Sequence, residues 1–333
     1  MKIVADENLA FTDYFFAEFG EVEHKAGRTL THADVVDAKA LLVRSVTQVN
    51  PALINNTTLQ YVGSATIGTD HLDINAIEKQ NIQWANAAGC NAQAVAEYVI
   101  GLGNVGSRLA YMAKLLGWNV IGHDPFVQQD TIQQVNLNTL LSTADAISLH
   151  VPLTKTGPHP TYHLFNAEAF AAMKATAILI NSARGPVIEE QALLADIEKT
   201  QRKVVLDVFE HEPVISEQVL NAVSLVTPHI AGYSLEGKAR GTQMIYEAFC
   251  KTFQFEADKS FESQLPVCAQ YFEGQDLKLA LQQHLREIYP IARDDQALRA
   301  CLKEGMIDQK AFDHLRKTYP LRREWAAHGG PKA

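Results

Sequence analysis

Short apolar runs alternate with longer stretches of helical spacing along most of this chain. Lys2-Ile3-Val4-Ala5, Ala40-Leu41-Leu42-Val43 and Tyr61-Val62-Gly63 have the length and character of strands, and helical patterns such as 71–80 lie between them. A second series begins near Gly101, with strand-length runs at 119–122, Ala146–Leu149, 177–181, 203–206 and 224–226. Helical stretches at 107–116 and 189–198 separate them. This βαβα alternation predicts parallel sheets covered by helices. From about Gln264 charge and helix formers increase. Helices are expected at Leu277–Ile288 and Gln309–Lys317, as a small appended domain.

Composition narrows the class. With 333 residues, 47% hydrophobic and 20% charged, the chain is globular and long enough for two domains and an appendage. A net charge of −9 disfavours a nucleic-acid binder, whose affinity rests on neutralising phosphates. It does not disfavour a small anionic substrate, which a few local arginines can hold. The start, MKIVADENLA, lacks the apolar core of a secretion signal, and no run approaches the ~20 apolar residues of a membrane span. A cytoplasmic protein is expected. Cys90, Cys250, Cys268 and Cys301 are scattered without paired spacing and read as free thiols. His159 and His163 lie in GPHPTYH, whose prolines suit a surface loop, so no metal site is expected.

In open parallel sheets ligands bind beyond the carboxyl ends of the strands, and there the polar residues collect. Gly101-Leu102-Gly103-Asn104-Val105-Gly106 fits G-x-G-x-x-G, in which glycines let backbone N–H groups approach a pyrophosphate at the start of a helix. A strand-length run then leads to Asp124, 18 residues past Gly106 (124 − 106). A carboxylate there accepts from ribose hydroxyls and repels a 2′-phosphate, which favours NAD over NADP. A helix-capping turn with a surface aspartate is the competing reading.

Three further strand ends carry Arg184, the 207–213 turn with Glu212, and His229. Oxidation of a 2-hydroxy acid needs a guanidinium for the carboxylate, an imidazole for the hydroxyl proton and a carboxylate to orient the imidazole. Arg184, His229 and Glu212 can fill these roles. Singly each is an ordinary surface or loop residue; their joint placement behind an NAD-type loop carries the reading. A methyltransferase also uses a glycine loop and a strand-end acid, but has no need of this trio.

With these motifs in place the chain resembles the D-isomer-specific 2-hydroxyacid dehydrogenases almost end to end. The stretches that carry the resemblance are ADEN, VRSVT, GSATIGTDHLD, AAGCNAQAVAEY, HIAGYSLEGKARGT and the tail LRKTYPLRREW, which most members lack. The resemblance implies two doubly wound parallel-sheet domains, flavodoxin-like at 1–92 with 233–258 and Rossmann at 93–232, plus an α+β dimerisation domain at 259–333. It implies NAD-linked oxidation of a small phosphorylated 2-hydroxy acid on the way to pyridoxal phosphate, by a homodimer. Arg184, Glu212 and His229 would be catalytic. Ser45, Thr66 and Tyr233 would contact substrate, with Arg44 the candidate for its phosphate and Lys238 or Arg240 as rivals. Beside the glycine loop (Gly101, Gly103, Asn104, Val105, Gly106), NAD would contact Asp124, Val151, Ala183, Asp207 and Gly232. Alternatives are another D-2-hydroxy acid as substrate, or a non-catalytic NAD-responsive binding protein on the same fold.

The chain departs from that pattern at one place. The family places a long helix, a loop and a strand ahead of the glycine loop, whereas here Glu97-Tyr98-Val99-Ile100 runs straight into Gly101. The segment is short by roughly twenty residues, an apparent internal deletion. Residues 93–100 can finish a helix or feed the turn as a strand, but not both. The expected cost is a central strand, whose neighbours lose ladder partners.

Overall fold

The computed structural model describes residues 1–98, 103–127, 130–274 and 276–331; the side chains of 96–98 and 103–106 lie outside the description. The chain divides into two compact units, Met1–Asn91 with Ser234–Val267, and Ala92–Tyr233 with Cys268–Ala333.

In the first unit β1 (Lys2–Asp6), β2 (Glu21–Lys25), β3 (Ala40–Val43), β4 (Tyr61–Ser64) and β5 (Gln83–Asn86) form one parallel sheet in the order β2-β1-β3-β4-β5. The three apolar runs become the inner strands. The edges are the mixed sequences EVEHK and QWAN, which carry no continuous apolar signal and escaped the pattern reading. Helix Leu235–Phe253 buries Ile245, Tyr246 and Phe249 against one face with Phe15 and Phe16, while Val4, Leu41, Val62, Ile54 and Ile77 fill the other. The Tyr61 hydroxyl donates to the Ile245 carbonyl at 2.8 Å, tying sheet to helix. Residues 259–267, expected in the tail, fold here: Phe261 is buried and its N–H donates to the Gln243 side chain.

In the second unit β6 (Ile121–Gly122) pairs with β7 (Gln133–Gln134). Separately, β8 (Ala146–Leu149), β9 (Ile178–Asn181), β10 (Val204–Leu206) and β12 (Leu225–Val226) form a parallel sheet in the order β12-β10-β9-β8. The conflict at 93–100 resolves in favour of the helix as far as it is described: Ala92–Tyr98 is helical, and the next described element is the helix Gly103–Leu115. Among the described residues no strand separates these helices and no ladder joins β6–β7 to β8.

The tail does not stand apart. Helices Leu277–Ile288 and Gln309–Lys317 form as the pattern predicts, and Ile291–Arg299 joins them. Strand β13 (Met306–Ile307) pairs antiparallel with β11 (Ile215–Ser216), and Leu298, Ile307 and Phe312 are fully buried in one core with Leu206, Phe209 and Val219. Asp295 accepts the Val226 N–H at 2.8 Å, and Arg299 holds Asp295 and the Val223 carbonyl. Burial of that apolar set against β10 and β12 explains why the expected separate body merges with the second unit.

Candidate active site

The site is built on the ends of β9, β10 and β12. Asp207, the first residue past β10, is 1% exposed and uses both carboxylate oxygens. One accepts from the Thr227 hydroxyl at 2.6 Å and the Ile230 N–H at 2.8 Å, the other from the Ala231 N–H at 2.9 Å. Burial pushes the Asp207 carboxyl up against the pull of those donors and of His229. These bonds pin the loop after β12 to the end of β10. Within that loop His229 adopts a left-handed backbone (φ 56°), a costly conformation for a non-glycine residue, and its N–H donates to the Asp207 carbonyl at 2.8 Å. Asp207, expected at the cofactor, thus has its described contacts within the loop that carries His229.

The loop brings His229 Nδ1 to 2.6 Å from Glu212 Oε1. Glu212 is fixed from behind by its own turn, with its N–H donating to the Phe209 carbonyl at 3.3 Å and its Oε2 accepting the Phe209 N–H at 3.4 Å. Burial raises the Glu212 carboxyl, but the facing His229 and the charge of Arg316 outweigh it and hold the group below its ordinary value. A carboxylate bonded to Nδ1 sets the imidazole's orientation and leaves Nε2 for proton exchange.

Arg184 lies three residues past β9. The Asn181 side chain, fully buried, braces that turn by donating to the Arg184 carbonyl at 2.9 Å and accepting the Ala183 N–H at 3.0 Å. Gly185 follows, where a Cβ would sit 1.8 Å from the Phe209 carbonyl oxygen, so the Arg184 and Glu212 turns meet backbone to backbone and only glycine fits. Ala183 is buried beside it, Gly232 and Tyr233 are half-buried in the His229 loop, and Val151 is half-buried two residues past β8. One strand-end constellation in the second unit therefore holds Arg184, Glu212, His229 and Tyr233.

For the cofactor motif, Gly101 lies outside the described residues, and of 103–106, with Asn104 and Val105, only the helical backbone is described. The helix starts at Gly103, inside the motif, so its positive end falls where a dinucleotide's pyrophosphate is held. Asp124, two residues past β6, caps its own turn with Oδ1, accepting the Phe126 and Val127 N–H groups at 2.9 and 3.1 Å. A helix start within the glycine motif and a carboxylate past β6 both fit a dinucleotide.

The remaining predicted residues belong to the first unit. Arg44, one residue past β3, donates from Nε to buried Asp6 at 3.0 Å. Ser45 is exposed at the next position. The Thr66 hydroxyl lies 2.9 Å from Ser64 Oγ, itself 2.9 Å from Nε2 of buried His71. Arg240 is engaged with the Cys90 carbonyl and the Phe261 ring, which weakens it as a rival to Arg44. The pattern reading missed Asn181, Asp6 and His71. Asn181 was discoverable, being the polar residue that ends an apolar run; Asp6 and His71 gain meaning only from the fold. His163 pairs with Glu210 at 2.5 Å. Among the described residues no group of three or more His, Cys, Asp or Glu side chains could hold a metal ion, and no helix is long and apolar enough to cross a membrane.

Residues 71–231 match the D-isomer specific 2-hydroxyacid dehydrogenase, NAD binding domain, and 269–328 match a domain of unknown function, DUF3410. Erythronate-4-phosphate dehydrogenase of Acinetobacter baumannii strain ACICU is 68% identical over 355 residues, covering 100% of each chain. That alignment exceeds this chain by 22 positions (355 − 333). Erythronate-4-phosphate dehydrogenase of Psychrobacter cryohalolentis is 42% identical, covering 98% of this chain and 97% of its own. Among solved structures, the TT0316 protein of Thermus thermophilus matches with TM-score 0.68 and 22% identity over 78% of this chain and 99% of its own. D-lactate dehydrogenase of Aquifex aeolicus, complexed with NAD and lactic acid, matches with TM-score 0.65 and 22% identity over 76% and 95%. These structures share the fold, a parallel α/β architecture of the Rossmann type.

Proposed function

This chain belongs to the erythronate-4-phosphate dehydrogenase family, and from that premise we propose that it oxidises 4-phospho-D-erythronate at its 2-hydroxyl with NAD. The product is (R)-3-hydroxy-2-oxo-4-phosphooxybutanoate, on the way to pyridoxine 5′-phosphate. The observation that carries the reading is the 2.6 Å Glu212–His229 pair, held on the same strand-end platform as Arg184.

His229 Nε2 takes the 2-hydroxyl proton, while Glu212 keeps Nδ1 engaged and stabilises the imidazolium that forms. Arg184 grips the substrate carboxylate, for which a guanidinium offers two parallel donors. NAD, when bound, supplies the acceptor for the hydride that leaves C2. Gly101, Gly103, Asn104, Val105, Gly106, Asp124, Val151, Ala183, Asp207 and Gly232 would hold it. Arg44, Ser45, Thr66 and Tyr233 would hold the substrate, Arg44 at the phosphate. Because Arg44 already donates Nε to Asp6, its terminal nitrogens are the donors for that task. The protein works in the cytoplasm as a homodimer through its C-terminal segment. Exposed Leu279 and Leu285 on the helix Leu277–Ile288 support an apolar contact there.

The test is NADH formation from 4-phosphoerythronate, erythronate and D-lactate, each with wild type and Arg44→Ala. NADH from the phosphorylated acid alone is expected, with the preference over erythronate collapsing in the variant. Turnover of D-lactate in its place, or none of any acid, would overturn the reading. An unchanged preference would remove Arg44 from the phosphate role.

A further inference from the structure

The segment that matches the domain of unknown function reaches the Glu212–His229 pair from behind. Strand β13 pairs with β11, whose first residue lies three past Glu212. Helix Gln309–Lys317 follows, and its fully buried Phe312 meets Phe209 edge-on at 6.5 Å between ring centres. Phe209 is the residue whose N–H and carbonyl anchor Glu212. One helical turn later Arg316 places its guanidinium 5.7 Å from the ring centres of both Phe312 and Tyr233, and it hydrogen-bonds the Tyr233 side chain. Its Nε is buried without a partner. Arg322, buried against the Tyr289 ring at 4.4 Å, donates to the carbonyls of Ile230 at 3.2 Å, Ala231, Tyr233 at 3.4 Å and Ala94 at 2.8 Å. Three of those four carbonyls belong to the loop that begins with His229.

We propose that this segment is a built-in brace of the acid–base pair, and that Arg316 is its positioning residue, fixing the Tyr233 ring and presenting a guanidinium charge to the Glu212 carboxylate. The inference rests on reading Glu212 and His229 as that pair. Arg316 is half-buried with its Nε shielded from solvent, and a guanidinium so placed is costly to keep unless an anion or dipole faces it. Packing alone needs no cation beneath Tyr233, since an aliphatic side chain would fill the same space.

Charged and titratable groups beside the pair come from several elements. They include Arg184 past β9, Asp207 at the end of β10, Tyr233 in the His229 loop, and Arg316 with its neighbour Asp313 from helix Gln309–Lys317. Arg316 is the cation that the C-terminal segment adds to that set, and a nearby cation disfavours a second positive charge on the imidazole. Arg316 is thus one of the charges that hold the Glu212 carboxylate ionised beside the imidazole. Removing Arg316 raises the proton affinity of the whole pair.

The decisive measurement is the pH midpoint for diethyl pyrocarbonate modification of His229, read by peptide mass spectrometry, because it does not require turnover. In Arg316→Met the midpoint is expected to rise by at least about half a pH unit. In Arg316→Lys it is expected to stay near wild type. The acidic limb of kcat/KM for 4-phosphoerythronate should move the same way. A midpoint unmoved in Arg316→Met, with cooperative melting retained, would overturn the proposal. If Arg316→Met does not fold, Arg316→Gln, which keeps donors and removes the charge, decides by the same midpoint. If wild type makes no NADH while the midpoint still moves, the substrate reading fails and the brace stands.

Discussion

The five strands of the first unit pair in an unbroken series from β2 to β5, whereas the second unit carries the same βα alternation in two pieces, β12-β10-β9-β8 and β6-β7. The pieces divide the chemistry. Arg184, Glu212 and His229 follow β9, β10 and β12, three adjacent strands of the longer piece, each cross-braced by Asn181, Asp207 or the Gly185 contact. Asp124 follows β6, and the described part of the glycine motif opens the helix that precedes β6 in the chain. The acid–base machinery thus stands on a continuous ladder. The residues proposed for the cofactor stand apart from that ladder, Asp124 after the β6–β7 pair and the described part of the glycine motif at the start of the helix Gly103–Leu115.

Four experiments probe this contrast, in descending size of effect. His229→Gln should lower kcat/KM about a thousandfold, the typical worth of a positioned general base, with melting little changed. A melting temperature that also collapses would mean the residue is structural. Arg184→Met should cost on the order of a hundredfold in kcat/KM, mainly through KM, since a charge-assisted bidentate contact to the substrate carboxylate is lost. Equal losses on carboxylate and amide substrates would contradict that assignment.

Next comes Glu212→Gln, read as stability against pH. The folded carboxyl is held below its unfolded value, so its contribution is fully present above the ordinary carboxylate range and is lost as pH falls through the lower folded value. Wild type should lose stability more steeply than Glu212→Gln as pH falls below the ordinary carboxylate range. Parallel acid curves would remove the ion-pair term. Smallest is Asp34→Ala in the first unit, where Asp34 closes a capping box with Thr31 and its carboxyl is pulled down to about 2, first by the Thr31 hydroxyl bond. That stability is present above the ordinary aspartate value and fades as pH falls toward about 2. At this exposed site the change should be about 0.5–1 kcal/mol near neutral pH, measured by chemical denaturation.

Much of this was legible in the residues. Inner strands announce themselves as apolar runs, and the two expected tail helices form with their expected bounds, set by Asp276 and Asp308 as N-caps. Edge strands β2 and β5 did not, because one side of each faces no partner and tolerates polar residues. Arg184, Glu212 and His229 stood out as polar groups at strand ends. Arg316 and Arg322 did not, because their meaning depends on a tail that returns about a hundred residues later to pack under the His229 loop. Helix Ile291–Arg299 was hidden by its polar sequence, IARDDQALR, whose Asp295 and Arg299 serve the β12 end rather than solvent.

Arg184 and the Glu212–His229 pair, proposed for catalysis, thus share one continuous ladder, while Asp124, proposed for the cofactor, follows the separate β6–β7 pair. NADH binding, followed by fluorescence titration, tests this in the chain as it stands and in a version with a helix–strand segment restored before Gly101. Binding tighter by about tenfold or more is predicted in the restored chain, with a higher melting temperature and an unchanged pH midpoint for His229. Equal NADH affinity in the two chains would contradict it.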